Sequence, residues 1–153
     1  MSDITIRHAT YLDLAEIVGL YIKMERELRH PHVTIDVNKV FVTLTNMMES
    51  GKGMVLVAQN SQSIVGFGSG QLMNYAYGYN GSVFCIEHLY MEPDYRSKGI
   101  MMLMKAECED KLKQADIKYI EARVELDMVG AYEKMGYDVD SVKVIKSLGG
   151  PDG

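Results

Sequence analysis

Apolar and polar positions along this chain follow two periods, and the switches between them mark out its elements. Ile4-Thr5-Ile6 alternates residue by residue and predicts a short first strand. From Thr10 the spacing lengthens. Ile17, Leu20, Tyr21, Met24 and Leu28 form the buried stripe of a helix, and Asp13 stands three residues after Thr10 as a near capping box. That helix should stop before Pro31, because the residue ahead of a proline avoids the helical region. Asp36 can cap a second helix whose apolar face is Val37, Val40, Phe41, Leu44 and Met48, with Gly51-Lys52-Gly53 ending it. Met54 to Ala58 is a continuous apolar strand, and Asn60-Ser61-Gln62-Ser63 is turn chemistry. A strand from Ile64 to about Met73 follows, thinned by Gly66, Gly68 and Gly70. Glycine at period two leaves three outcomes open: close approach to one sheet face, a bulge, or tight helix packing.

Tyr75-Ala76-Tyr77-Gly78-Tyr79-Asn80-Gly81 reads as a hairpin loop, either a recognition or self-association surface or packing that covers an edge. Ser82 to Met91 is the next strand, and Pro93 ends its ladder. Ile100, Leu103, Met104, Cys108 and Leu112 predict a helix from Ile100 to Ala115, with Lys105, Glu109 and Lys113 four apart on a solvated face. Lys118 to Leu126 alternates again. Glu121, Arg123 and Glu125 share one side of it, as on a strand beside a polar cleft or at a solvated edge. Asp127 is expected to cap a short last helix with Met128, Ala131, Tyr132 and Met135 inward and Gly136 as its stop. A final strand is expected from Tyr137 to about Ser147.

Composition narrows the classes. The 153 residues are 47% hydrophobic and 24% charged, which fits a single globular domain over 1–148 with a disordered tail at 149–153. No apolar run is long enough to span a bilayer, and Met1 to Thr5 lacks the regions of a signal peptide. Cys85 and Cys108 have neither metal-ligand spacing nor a disulfide framework, so they are expected as buried free thiols in a reducing cytoplasm. A net charge of −5 argues against a protein that coats nucleic acid. It mildly favours a cationic acceptor such as an amine, and it equally serves solubility. Among the 12 methionines, Met91, Met101, Met102 and Met104 are expected as packing filler.

The stretch Glu92 to Ile100 carries the chemistry. It leaves a strand and enters a helix, so it aims free N–H groups of a helix N-terminus out of the strand end. Such an end holds roughly half a positive charge and suits an anion. Arg96 and Lys98 add full charges, and Gly99 lets backbone approach a bulky ligand. The expected occupant is a phosphate or pyrophosphate. No Gly-Lys-Ser/Thr follows a glycine-rich loop, which excludes a P-loop.

The run LYMEPDYRSKGIMMLMKAECED resembles the acyl-CoA-binding motif of the GCN5-related N-acetyltransferases (GNAT), Arg/Gln-x-x-Gly-x-Gly/Ala after a strand ending in a Leu-x-Val-x-Pro-like segment. Leu89, Pro93, Arg96 and Gly99 match, and Met101 departs from the usual Gly or Ala. Downstream, Ala131-Tyr132-Glu133-Lys134-Met135-Gly136-Tyr137 is similar to the family's Tyr-Glu-Lys-x-Gly-Phe signature, at the family's order and separation.

The resemblance implies an α/β fold (α+β in some schemes) with a mixed, mostly antiparallel central sheet flanked by about four helices. It implies acetyl-CoA as cofactor and transfer to a primary amine of a small molecule or protein, with no membrane partner; family members commonly dimerise. It implies that amides from Arg96 through Ser97, Lys98, Gly99 and Ile100 to Met101 hold the pyrophosphate. Main-chain groups of the Leu89-Tyr90-Met91 segment would run beside the pantetheine arm. Tyr132 matches the tyrosine placed near the sulfur as general acid. Asp127 stands on the cofactor side where many members have an asparagine. Glu121, in a Glu-x-Arg setting, and Glu87, with His88 behind it, are candidate bases beside a water chain that needs neither. His30 and His32 flank Pro31 as loop histidines, or as acceptor contacts if the resemblance extends there. A non-catalytic acyl-CoA-binding module on the same fold is the alternative that Met101 and Asp127 favour.

Overall fold

The computed structural model describes residues 3–28, 34–73, 81–142, 144, 146 and 148. His30, Pro31, His32, Tyr75, Tyr77, Tyr79 and the 149–153 tail lie outside them. The chain forms two compact units, Met1–Glu121 and Ala122–Gly153.

The first unit is built on a sheet. Its strands β1 (Thr5–His8), β2 (Gly53–Gln59), β3 (Ile64–Met73), β4 (Val83–Met91) and β5 (Tyr119–Ala122) lie in sequence order. The first three neighbouring pairs are antiparallel, with Ile6 opposite Ala58, Val57 opposite Phe67 and Phe67 opposite Tyr90. The β2–β3 turn closes because Asn60 Oδ1 accepts from the backbone N–H of Gln62 at 2.8 Å and of Ser63 at 2.7 Å. Between β3 and β4 the pairing slips. Ser69 faces His88 while Gly70 faces Ile86, so Glu87 is the extra residue of a bulge.

Helices α1 (Leu14–Leu28) and α2 (Val37–Glu49) cover one sheet face. Thr10 and Asp13 do form a capping box, around a 3-10 turn at Tyr11–Asp13 that leads into α1. Asp36 caps α2 by accepting from the Lys39 N–H at 3.2 Å. Ile17, Leu20, Met24, Leu44, Val55, Val57, Phe67 and Tyr90 make the core here. On α2 Met47 is buried, Met48 packs half-buried against the core as expected, and Val37 is exposed. Gly53 lies against this turn, and a Cβ there would collide with the Met47 backbone. The bare glycine lets the last turn of α2 press onto the start of β2.

Helix α3 (Ile100–Gln114) packs on the other face through Ile100, Met104, Cys108 and Leu112. Three expectations fail there. Leu103 is exposed, Met102, expected as packing filler, is exposed too, and Lys105, assigned to a solvated face, is buried. The helix is rolled toward the Lys105 side, where Gly68 and Gly70 thin the sheet and a small cavity of about 30 Å³ opens. The glycines therefore serve packing: a Cβ on Gly66 would meet the Met91 thioether at 2.7 Å, and one on Gly68 would touch Leu89 and Met104 at 3.3 Å. Gly70 also sits at the bulge. Strand β5 begins beside Ser82, whose carbonyl accepts from the Tyr119 N–H at 3.3 Å, and it ends at Ala122 rather than continuing to Leu126.

The second unit opens with a 3-10 turn at Leu126–Met128 and continues into helix α4 (Val129–Lys134), which Gly136 closes at φ 89°. Asp127 lies within the 3-10 turn, not at a helix cap. Of Met128, Ala131, Tyr132 and Met135, only Tyr132 is buried. The strand expected from Tyr137 to Ser147 is not formed among the described residues. Val139, Val142 and Val144 stand in solvent, so the alternation there has no ladder and no apolar face to hold it.

Candidate functional site

Strand β4 leaves the sheet with the Glu92 N–H still donating to Val65 O at 2.8 Å. Pro93 then opens a 3-10 turn over Pro93–Tyr95, which the Arg96 N–H closes onto Pro93 O at 3.2 Å. Two left-handed residues follow, Ser97 at φ 60° and Gly99 at φ 78°. A serine there costs about 1 kcal/mol. Left-handed residues in such turns can curl successive N–H groups toward one point, the geometry of anion-binding concavities in general. Gly99 is also the residue ahead of α3, and no side chain caps that helix. The first amides of α3 thus have no intrahelical partner. A Cβ on Gly99 would meet nothing within 4 Å, so space lies open there. Gly99 is needed for its dihedral, which adds to the close approach expected of it.

The loop is held from α1. Arg96 Nε donates to Met91 O at 2.8 Å, its Nη2 donates to Glu27 Oε2 at 2.7 Å, and its guanidinium stacks over the Tyr90 ring at 5.3 Å. The Tyr90 hydroxyl donates to the other Glu27 oxygen at 2.9 Å. Lys23 pairs with Glu92 at 2.6 Å, and Asn60 Nδ2 donates to the Tyr95 hydroxyl at 2.8 Å. Arg96 hydrogen bonding keeps the Glu27 carboxyl below its ordinary range. Burial first, then the Glu27 bond, pushes the Tyr90 phenol up to about 12. Arg96, expected to lend its charge to the anion, also bonds Glu27 and so braces the loop. Lys98, over the Tyr95 ring at 5.6 Å, keeps an exposed charge next to the amides.

Ladder alternation sets what β4 offers. The Glu92–Val65 bond makes that a hydrogen-bonded pair, so Tyr90 opposite Phe67 and His88 opposite Ser69 also bond toward β3. Leu89 and Met91 then turn their N–H and C=O groups toward the opposite edge. Met91 O receives Arg96, and the Leu89 main chain and the Met91 N–H face the β5 side.

The remaining candidates are more scattered. Glu87, at the bulge, accepts from Gln71 Nε2 at 2.8 Å. His88 lies behind it, with Nδ1 3.1 Å from Ser69 Oγ and the ring edge-on to Tyr21 at 5.0 Å. Burial lowers its pKa. Glu121 is half-buried on β5. Asp127 and Tyr132 belong to the second unit, where Tyr132 packs edge-on to Tyr137 at 5.3 Å and burial raises its phenol pKa. Chain order gave no signal for Glu27 or Ser69, because each meets its partner only across the fold.

A family profile described as an acetyltransferase (GNAT) domain matches residues 17–147. No curated protein matches. Solved structures similar to this chain include a predicted acetyltransferase from Clostridium acetobutylicum with acetyl-CoA, at TM-score 0.78 and 17% identity over 95% of this chain and 96% of that one. A transcriptional regulator from Bacillus halodurans gives TM-score 0.76 and 18% identity over 95% and 99%. An aminoglycoside acetyltransferase from an uncultured soil metagenomic sample, in complex with sisomicin, gives 0.73 and 14% over 96% and 97%. At such identities these structures speak for the fold. The profile covers most of the chain, including the left-handed loop ahead of α3, and with it the chain belongs to the GNAT acetyltransferase family.

Proposed function

We propose that this chain is an acetyl-CoA-dependent N-acetyltransferase that passes the acetyl group to a primary amine of a small molecule or protein, by direct attack in a ternary complex. The observation that carries it is the pair of left-handed residues, Ser97 and Gly99, opening onto the uncapped N-terminus of α3. Amides from Ser97 to Met101 would hold the pyrophosphate, with Lys98 adding charge. The edge-facing main chain of Leu89 would pair with the pantetheine amides. Acetyl-CoA supplies the activated thioester. The Tyr132 phenol, kept protonated by burial, suits a proton donor to a departing thiolate. Glu87, Glu121 or a water chain would take the amine proton.

A non-catalytic acyl-CoA-binding module remains the second reading, favoured by the half-buried Met101 side chain among the pyrophosphate amides. Calorimetry with acetyl-CoA, followed by a panel of amines, separates the two. Saturable binding with turnover supports the enzyme, binding without turnover supports the module, and no binding at millimolar ligand sinks both. Tyr132→Phe should lower kcat about 100-fold at unchanged acetyl-CoA affinity if the phenol is the acid; an unaltered rate removes it.

A further inference from the structure

The histidine beside the bulge is used by no step above, yet it is set up as a positioned base. Ser69 Oγ stands 3.1 Å from its Nδ1, and Ser69 is only 4% exposed, so a buried hydroxyl is dedicated to one ring nitrogen. Tyr21 holds the ring edge-on at 5.0 Å from the α1 side. Along the chain, His88 directly precedes Leu89, whose main-chain groups face the edge proposed for the pantetheine arm. Its ring lies on the α1 face of the sheet, beside that edge, with Ser69 and Tyr21.

We propose that His88, in place of Glu87, Glu121 or a water chain, accepts the proton of the acceptor amine, with Ser69 as its positioning residue. In this arrangement Nδ1–H donates to Ser69 Oγ, and the lone pair on Nε2 is left for the substrate. The proposal rests on the acetyl-transfer reading above. Glu87 on β4 and Glu25 on α1 face the ring and favour its charged form, while burial, the largest influence, opposes it; Tyr21 lies against the ring and hydrogen-bonds Glu25. Burial, the largest influence, thus favours the neutral ring, the form able to accept.

The step balances. An ammonium gives one proton to Nε2, and the freed lone pair attacks the thioester carbonyl carbon. A C–N bond forms, and the C–S bond breaks with its electron pair on sulfur. The thiolate takes the Tyr132 phenol proton, the phenolate regains one from the second N–H, and His88 releases the first to solvent.

The test uses the full chain with an amine that the wild type acetylates. His88→Gln should lower kcat about 100-fold near pH 7 and remove the ascending limb of the kcat/KM profile that His88 sets. Ser69→Ala should lower kcat about tenfold, at unchanged acetyl-CoA affinity. Nitrogen-15 spectra of the histidine side chains should show His88 with its proton on Nδ1, and should show that preference lost in Ser69→Ala. A wild-type pH profile kept by His88→Gln, or a proton found on Nε2, would overturn this proposal alone. Absence of transfer to any amine by the wild type would overturn it together with the acetyltransferase reading.

Discussion

The two faces of the β3–β4 hairpin hold opposite kinds of structure along the same residues. On the α1 side the side chains at the far end of β4 are polar and bonded: Ser69 to His88, Tyr90 to Glu27, and Glu27 onward to Arg96. On the α3 side the same stretch is apolar and thinned, with Met91, Leu89 and Phe84 lying across Gly66, Gly68 and Gly70. The α3 face consequently sets a distance, because any added atom pushes helix or strand away. The α1 face sets an orientation, because its directional bonds hold the anion loop and one histidine ring in place. The difference teaches that a lost atom on one side and a lost charge on the other should fail in different assays.

The largest effect is expected on the packed side. A Cβ on Gly70 would run into the Cys85 carbonyl oxygen and the Phe84 ring, so Gly70→Val should cost about 3 kcal/mol in urea denaturation. A loss below 1 kcal/mol would mean that the face tolerates mass and the contrast is false.

Next comes the charge at the entry to α1. Asp13 accepts from Arg7 at 2.7 and 2.9 Å and from the Thr10 N–H at 2.7 Å. The Arg7 hydrogen bond, foremost, holds its carboxyl at about 2, against an ordinary 3.8. A depressed carboxyl stabilises the fold fully above its unfolded value, and that stabilisation fades as pH falls through about 2. Asp13→Ala should cost about 2 kcal/mol at neutral pH and remove this part of the acid dependence. Denaturation curves between pH 5 and 2 (the wild type steeper than the variant) check it; parallel slopes would refute it.

Smaller still is the clamp on the loop. Glu27→Gln should raise the Kd for acetyl-CoA several-fold, about 1 kcal/mol, with thermal stability nearly unchanged. An equal fall in stability and binding would make Glu27 a structural residue only. Lys98→Ala should change the same Kd by about twofold at low salt and by less as salt screens the charge. A salt-independent change would assign Lys98 to packing on Tyr95.

Local sequence made much of the first unit legible. Period and punctuation located β2, β3, β4 and α3 nearly to the residue, and the proline followed by glycine six positions on marked the loop ahead of α3. Part of what was hidden comes from rotation about an element's own axis. Leu103 and Lys105 flank Met104 equally in sequence, and only the glycine-thinned sheet beneath α3 decided that Lys105 should turn in. Likewise Arg96 has Glu92 and Asp94 close by in sequence, yet its partner Glu27 lies on a helix far earlier in the chain.

By itself the sequence determined the order of elements, the strand-to-helix turn that presents free amides, and the family to which these motifs point. Those are local properties, written by spacing, by proline and by a glycine that permits a left-handed backbone. Tertiary structure alone decided that Arg96 braces the loop, that Ser69 meets His88 across a slipped ladder, and that no strand forms among the described residues after Tyr137. Each depends on which residues from distant parts of the chain come into contact, and a single sequence carries no direct record of that.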